Sequence, residues 1–111
     1  MASTRNNSSR CDDDSCPVAR AVRSLDGKWT LLIIRDLLGG TRRFGELRSS
    51  LAGISSKTLT DRLRELSDDG LVTRTMYAEI PPRVEYALTD RGRAAAPIID
   101  ALGSWGATLP A

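Results

Sequence analysis

The sequence predicts a mainly α-helical α+β domain whose elements follow the order α-α-α-α-β-β-α. Three observations predict it. Apolar residues recur at helical spacing through four segments between Pro17 and Gly70, and the pattern changes over 71–89 to the apolar–polar alternation of strands. Helical spacing then returns over 90–106.

Length and composition are those of one soluble globular domain. The chain has 111 residues, of which 41% are hydrophobic and 27% charged, and no stretch is long and apolar enough to span a membrane. The polar N-terminus lacks the apolar region of a secretory signal, and two cysteines do not make a disulfide framework. We therefore expect a cytoplasmic protein in a reducing compartment, with a flexible polar arm over 1–15 and a folded domain over 16–111.

The first three helices are predicted from their apolar faces. Val18 and Val22 share one face of a short helix that Pro17 can begin, because proline suits the first helical turn. Residues 28–40 are apolar on most sides, as expected for a buried helix, and end in a glycine pair. A third short helix follows over 44–51.

A fourth helix is predicted over 55–70, with Ser55 or Ser56 as its N-cap. Leucines three and four residues apart form its buried face. At about 100° per residue, the opposite face is polar and charged. It carries Lys57, Thr58, Asp61 and Arg64, flanked by Thr60 and Arg62.

The alternating segment 71–89 is predicted to be a two-stranded hairpin with a proline-stiffened tip that carries Arg83. Thr89 then caps a last helix over 90–106. Pro97 lies inside this segment and is expected to kink the helix.

Enzymatic functions find little support in the residues. Without histidine there is no Ser-His-Asp or Cys-His arrangement, and no glycine-rich phosphate loop follows a strand. The paired carboxylates Asp68 and Asp69 lie in the polar last turn of a helix, where solvated charges are usual. We expect no enzyme activity, no cofactor and no metal site.

The third and fourth helices, joined by a short glycine-containing turn, form a predicted helix-turn-helix, and the hairpin after them adds a wing. The second helix of such a motif can lie in the DNA major groove, and its exposed first turn here mixes hydroxyls with longer donors, a mixture typical of sequence readout. An ordinary amphipathic helix is the alternative. Arginines before the motif and in the wing favour DNA. The predicted DNA-binding residues are Arg42, Arg43, Ser55, Ser56, Lys57, Thr58, Thr60, Asp61, Arg62 and Arg83.

The run from Cys16 to Gly106 resembles the HxlR-type winged helix-turn-helix regulators of bacteria, within the MarR-like superfamily. Each motif that carries the resemblance is weak alone, but together and in this order they are specific. They are GKW at 27–29, RFGEL at 43–47, LTDRLRELSDDGLV at 59–72, PPRVEYALT at 81–89 and the GR…P…WG spacing of the last helix.

The resemblance implies a homodimeric transcriptional regulator, expected to be a repressor, that binds a near-palindromic operator. It also implies that the first and last helices form the dimer interface, which would explain their surplus apolar faces. In the alternative interpretation these side chains only close the monomer core. The candidates are Val18, Val22, Ile98, Ile99, Leu102 and Trp105.

Many members of this family sense electrophiles, quinones or oxidants through a cysteine at the start of the first helix, and Cys16 occupies that position. A helix N-terminus lowers the pKa of a thiol, because the dipole and free N–H groups stabilise the thiolate. Cys11, in the arm, could resolve an oxidised Cys16. An inert thiol is one alternative. A metal site made with Asp12–Asp14 is a weaker one, because soft and hard ligands mix and no imidazole completes the set.

Two other functions stay open at this point. The protein could be a winged-helix regulator whose input is not a thiol, or a winged-helix module that docks a partner protein. The expected partners of the leading function are double-stranded operator DNA, a second copy of the chain and, for the thiol input, a small electrophile or oxidant.

Overall fold

The structure is a computed structural model that describes residues 16–111. The predicted mainly helical α+β class is confirmed, while the predicted arm over 1–15 lies outside the described residues. Within 16–111, no helix has the length and apolar character needed to cross a membrane. In chain order the elements are α1 (Pro17–Leu25), α2 (Thr30–Leu38), β1 (Arg42–Arg43), α3 (Phe44–Ser50), α4 (Ser56–Asp68), β2 (Val72–Tyr77), β3 (Arg83–Leu88), α5 (Asp90–Arg93) and α6 (Ala96–Gly106).

The core is built around α2, because this helix is apolar on several sides. Ile33, Ile34 and Leu37 are buried on it and join one hydrophobic cluster with leucines of α3 and α4 and with residues of the hairpin. The buried hydroxyl of Thr30 donates a hydrogen bond of 2.7 Å to the carbonyl oxygen of Asp26, which satisfies it inside the core.

Helices α3 and α4 form the predicted helix-turn-helix. At the start of α3, the Glu46 carboxylate accepts a hydrogen bond from the backbone N–H of Arg43 at 2.8 Å. At the start of α4, the Ser55 hydroxyl accepts one from the N–H of Thr58 at 3.0 Å, the expected N-cap. Between the helices the chain turns at Gly53, whose φ of +92° favours glycine.

The sheet is antiparallel and has three strands in the order β1-β3-β2. Strands β2 and β3 form the predicted hairpin. The prediction missed β1, because two residues are too few to show an alternating pattern and their pairing depends on the distant β3. In this pairing Arg42 and Arg74 lie on either side of Tyr86, in one row across the sheet.

The predicted single last helix is in fact two helices. Thr89 caps α5 as predicted, and its hydroxyl accepts a hydrogen bond of 3.1 Å from the N–H of Gly92. The chain leaves the helix after Arg93 and starts α6 at Ala96. Pro97 lies in the first turn of α6, where its missing N–H needs no partner, so the predicted kink is wrong and the proline marks a helix start.

The end of α4, the base of the hairpin and α5 are joined at one junction. Thr89 donates through its hydroxyl to the carbonyl of Gly70 at 2.7 Å and through its backbone N–H to that of Leu71 at 3.0 Å. Gly92 packs directly on the Leu71 carbonyl, and a Cβ at this position would overlap the oxygen. These contacts fix the hairpin relative to α4.

Candidate nucleic-acid interface

The exposed face of α4 presents a line of charged side chains, Lys57, Asp61 and Arg64, opposite the buried leucines. The Lys57 ammonium donates a hydrogen bond of 2.8 Å to Asp61 Oδ2, and Arg64 Nη1 lies 3.8 Å from Asp61 Oδ1. The hydrogen bond from Lys57 holds the pKa of the Asp61 carboxyl below its ordinary value. Asp61 is therefore an anion that both orients the two cations and partly compensates their charge.

Hydroxyl groups surround the N-terminal end of this line. The Ser55 hydroxyl donates to Thr58 Oγ1 at 2.9 Å, while Ser56 and Thr60 are exposed on the helix surface. Six of the predicted DNA-binding residues thus lie in the N-terminal half of α4 or at its N-cap. They are Ser55, Ser56, Lys57, Thr58, Thr60 and Asp61.

Arg62 lies on the other flank of α4, away from Thr60. Its guanidinium pairs with Glu65 at 2.5 Å and lies beside Gly27, in the turn between α1 and α2. There it lines a polar cavity bounded by α1, α2 and the C-terminal half of α4. The structure therefore separates Arg62 from the line formed by Lys57 and Arg64.

The two arginines that precede α3 differ in their surroundings. Arg42 is half-buried, and its guanidinium lies against the Gly39-Gly40 turn and donates to the carbonyl of Thr41 at 3.1 Å. Arg43 is exposed at the N-cap of α3. Of this pair, Arg43 offers the more accessible cation.

Arg83 begins β3 beside the tip of the hairpin and is held within it. Its guanidinium lies 3.1 Å from the Glu79 carboxylate, 3.5 Å from that of Glu85 and 4.0 Å from the centre of the Tyr77 ring. Only 28% of the side chain is exposed. Two carboxylates thus compensate the charge that the sequence suggested for DNA, and Arg83 braces the wing.

Two further arginines belong to this surface. Arg64 shares the periodic face of α4, and Arg74 is exposed on β2 across an open cleft from it. Helical spacing places Arg64 on the polar face of this helix, although the predicted DNA-binding residues do not include it. Arg74 gives no comparable signal, because a strand pattern does not show which helix its face meets.

Helices α1 and α6 expose apolar side chains that the monomer core does not cover. Five of the six predicted interface residues are more than a third exposed, whereas Ile99 is half-buried and packs against the core cluster. Ile99 therefore contributes to the monomer core. We call the exposed set the apolar surface, and it consists of Val18, Val22, Ile98, Leu102 and Trp105.

Cys16 is the N-cap residue of α1, as predicted, and its carbonyl accepts a hydrogen bond of 3.0 Å from the N–H of Arg20. It is disulfide-bonded, and the part of the chain that the structure describes contains no free thiol. Cys11 and Asp12–Asp14 lie outside the described residues. Within 16–111, no group of histidine, cysteine and carboxylate side chains could hold a metal ion.

Comparison with known proteins also identifies the helix-turn-helix. A profile of the HxlR-like helix-turn-helix family matches residues 24–110. The chain belongs to this family. It is therefore a transcriptional regulator and not an enzyme, and the resemblance seen in the sequence motifs is confirmed.

Individual relatives and solved structures show how far the likeness extends. The HTH-type transcriptional regulator sll1512 of Synechocystis is 46% identical over 107 residues, which cover 95% of this chain and 79% of the relative. A structure described as a MarR-family regulator from Porphyromonas gingivalis W83 is 45% identical with a TM-score of 0.82, over 85% of this chain and 92% of that one. The oxidised form of the redox regulator HypR is 38% identical with a TM-score of 0.82, over 86% of this chain and 99% of that one.

Proposed function

We propose that this HxlR-like protein is a cytoplasmic, sequence-specific repressor that binds a near-palindromic operator as a homodimer. The observation that carries the proposal is the exposed line of Lys57, Asp61 and Arg64 on α4, beside a wing held in fixed orientation. Oxidation of Cys16 is the proposed input signal.

The residue types on α4 suit base reading. The major groove admits an α-helix, and a lysine in its first turn, here Lys57, recognises guanine acceptors while hydroxyls bind phosphates or either kind of base edge. An entirely basic helix would bind DNA without discrimination. Here Asp61 limits the attraction for phosphates and fixes where the Lys57 ammonium lies. Contacts to bases therefore contribute more to binding, relative to nonspecific attraction to the backbone, than they would on an entirely basic helix.

The apolar surface supports the dimer. Its members come from α1 and α6, and Val18 and Trp105 are each 62% exposed, a costly arrangement for a monomer in water. A two-fold axis through this surface would cover both helices and present two copies of α4 to one face of a duplex. The half-sites would then lie about 34 Å, or one turn of DNA, apart.

The thiol input is supported by position and by similarity. Cys16 lies at the N-cap of α1, next to the residues of the apolar surface. HypR, which is similar over most of its length, is a redox regulator solved in oxidised and reduced forms. In the proposed step, an oxidant accepts two electrons and two protons from the Cys16 thiol and a second thiol, and a disulfide forms between them.

Selection of DNA by the purified protein tests the function directly. The full chain is incubated with a random duplex library under reducing conditions, and bound duplexes are enriched and sequenced. We expect one enriched sequence with two-fold symmetry, half-site centres about 10 base pairs apart and two protomers bound per duplex. Failure to enrich any sequence would overturn operator binding and favour a module that docks a partner protein.

A further inference from the structure

An open cleft of about 700 Å³ separates α4 from the hairpin. Arg64 lies on its helix side and Arg74 on its strand side, together with two hydroxyl side chains of α4. Its floor is apolar and is formed by Phe44, Leu63, Val72 and Tyr86.

The charge of the cleft is entirely positive. Among the residues that line it, two are arginines and none is a carboxylate. The Arg64 side chain is 67% exposed and has only a long contact of 3.8 Å with Asp61. Arg74 is exposed and forms no ion pair with any residue between 16 and 111. Both guanidinium groups are available to an anion that enters the cleft.

We propose that this cleft binds the sugar-phosphate backbone of the operator, with Arg64 and Arg74 contacting phosphates from its two sides. The inference rests on the proposed function and deepens it by assigning the two phosphate contacts of the cleft, of which Arg74 lies outside the sequence motifs. Deoxyribose rings have apolar faces that suit the floor of the cleft, while the phosphates match its rim.

The geometry of a duplex gives the reason. One backbone strand separates the major groove from the neighbouring minor groove. If α4 lies in the major groove and the wing approaches the minor groove, the space between α4 and the wing must receive that DNA backbone. This space is the cleft, and the hydrogen bond from Thr89 to Gly70 joins the end of α4 to the base of the hairpin that bounds it.

The same site explains how the wing attracts DNA although its tip carries two carboxylates and one guanidinium. Arg83 is compensated by Glu79 and Glu85, so the tip adds little net attraction. Arg74 is part of the hairpin stem, opposite the buried Tyr86. The uncompensated cation of the hairpin therefore lies where the backbone would pass.

The test uses the full chain and the duplex that wild-type protein enriches. The dissociation constants of Arg64→Gln and Arg74→Gln are measured between about 50 and 200 mM KCl, with Arg91→Gln as the matched control. Arg91 is exposed on α5, at the base of the hairpin, and its replacement removes the same charge. Each cleft substitution removes one phosphate contact from each of the two protomers, so the slope of log K against log salt should become shallower by about 1.8. Affinity near 100 mM salt should fall about tenfold with the preferred sequence unchanged, and the control should match wild type.

A second arm locates the phosphate. Replacing single operator phosphates by neutral methylphosphonates should find one position in each half-site that weakens wild-type binding but not that of Arg74→Gln. Unchanged salt slopes in both cleft variants, or an altered preferred sequence, would refute the backbone site while operator binding stands. If wild type enriches no sequence, the proposed operator function fails by itself. In that case the salt slopes of the cleft variants are measured on a random duplex, and they test the backbone site without an operator. A wild-type protein that binds no duplex at all would refute both operator binding and the backbone site.

Discussion

The Thr89 hydroxyl donates a hydrogen bond of 2.7 Å to the carbonyl oxygen of Gly70 and accepts one from the N–H of Gly92. One side chain thus caps α5 and closes the turn that ends α4. Gly70 follows Asp69, the C-cap residue of α4, so its carbonyl lies outside the helix and takes its hydrogen bond from Thr89. This hydroxyl acts together with the backbone hydrogen bond from Thr89 to Leu71 and the packing of Gly92, and the three contacts orient the wing relative to α4.

Replacement of Thr89 by valine keeps the shape of the side chain and removes the hydroxyl. We expect Thr89→Val to lower the free energy of unfolding by about 1–2 kcal/mol, the usual cost of a lost cap, and to weaken operator binding because the wing is less well fixed. Urea titration followed by circular dichroism measures the first effect. Thr89→Ser retains the hydroxyl and should behave nearly as wild type; equal losses in the two variants would contradict this role.

Gly92 gives a second prediction at the same junction. A methyl group there would overlap the Leu71 carbonyl oxygen, so Gly92→Ala should cost about 2 kcal/mol or more, as overpacking does. Gly45 on α3 is the matched control, because a Cβ added there meets no atom within 4 Å. Gly45→Ala should be neutral or stabilise by about 0.5–1 kcal/mol, since alanine is the better helix former. Thermal melts that rank the two variants the other way would be inconsistent with the packing.

Asp61 is predicted to limit general attraction to DNA. Asp61→Asn frees Lys57 and Arg64, so binding to a random duplex should tighten several-fold while the ratio of operator to random affinity falls. Asp68→Asn makes the same charge change on the last turn of α4 and should have less effect. Because Lys57 depresses the pKa of Asp61 from its ordinary 3.8, the carboxylate persists at neutral pH. The difference in random-duplex affinity between Asp61→Asn and wild type should therefore be constant from about pH 5 to 8. The stabilisation of α4 by the Lys57–Asp61 pair should be lost only as the pH falls through that depressed pKa.

The apolar surface predicts the oligomeric state. Trp105→Asp places a charge on this surface and should give a folded monomer, which sedimentation velocity detects. Operator binding by this variant should be weakened. Ile80→Asp changes a fully exposed apolar side chain at the wing tip and should remain dimeric. A wild-type protein that sediments as a monomer would refute the proposed dimer.

The thiol input is tested by operator binding before and after treatment with diamide. Wild-type affinity should change on oxidation and return with a reductant, whereas Cys16→Ser should not respond. The operator affinity of Cys11→Ser should respond to diamide only if oxidised Cys16 pairs with a thiol other than Cys11. A non-reducing gel separates the products of the two kinds of pairing. Identical responses of wild type and Cys16→Ser would leave a regulator whose input is not this thiol.

Much of the fold could be predicted because local patterns determine it. The buried leucines of α4, the caps Ser55 and Thr89 and the alternating hairpin each carry their own signal. What could not be predicted depends on distant contacts. β1 exists only through its pairing with β3, and the break before α6 interrupts three consecutive alanines, which favour helix.

The candidate site shows the same division. Periodicity places Lys57, Asp61 and Arg64 on one face, and the structure agrees. Which flank of α4 meets the hairpin is set by tertiary packing, so Arg62 lies away from that line and Arg74 joins the surface. Likewise, the compensation of Arg83 requires the hairpin to bring two carboxylates together around it.

Selection of DNA by Lys57→Ala, compared with selection by wild type, tests most directly whether α4 reads the operator. The Lys57 side chain is 85% exposed in the first turn of α4, so its loss should leave the fold and the dimer unchanged. We predict an enriched sequence with the same half-site spacing and a relaxed base preference at one symmetric position in each half-site. An enriched sequence identical to that of wild type at every position would contradict base reading by this helix.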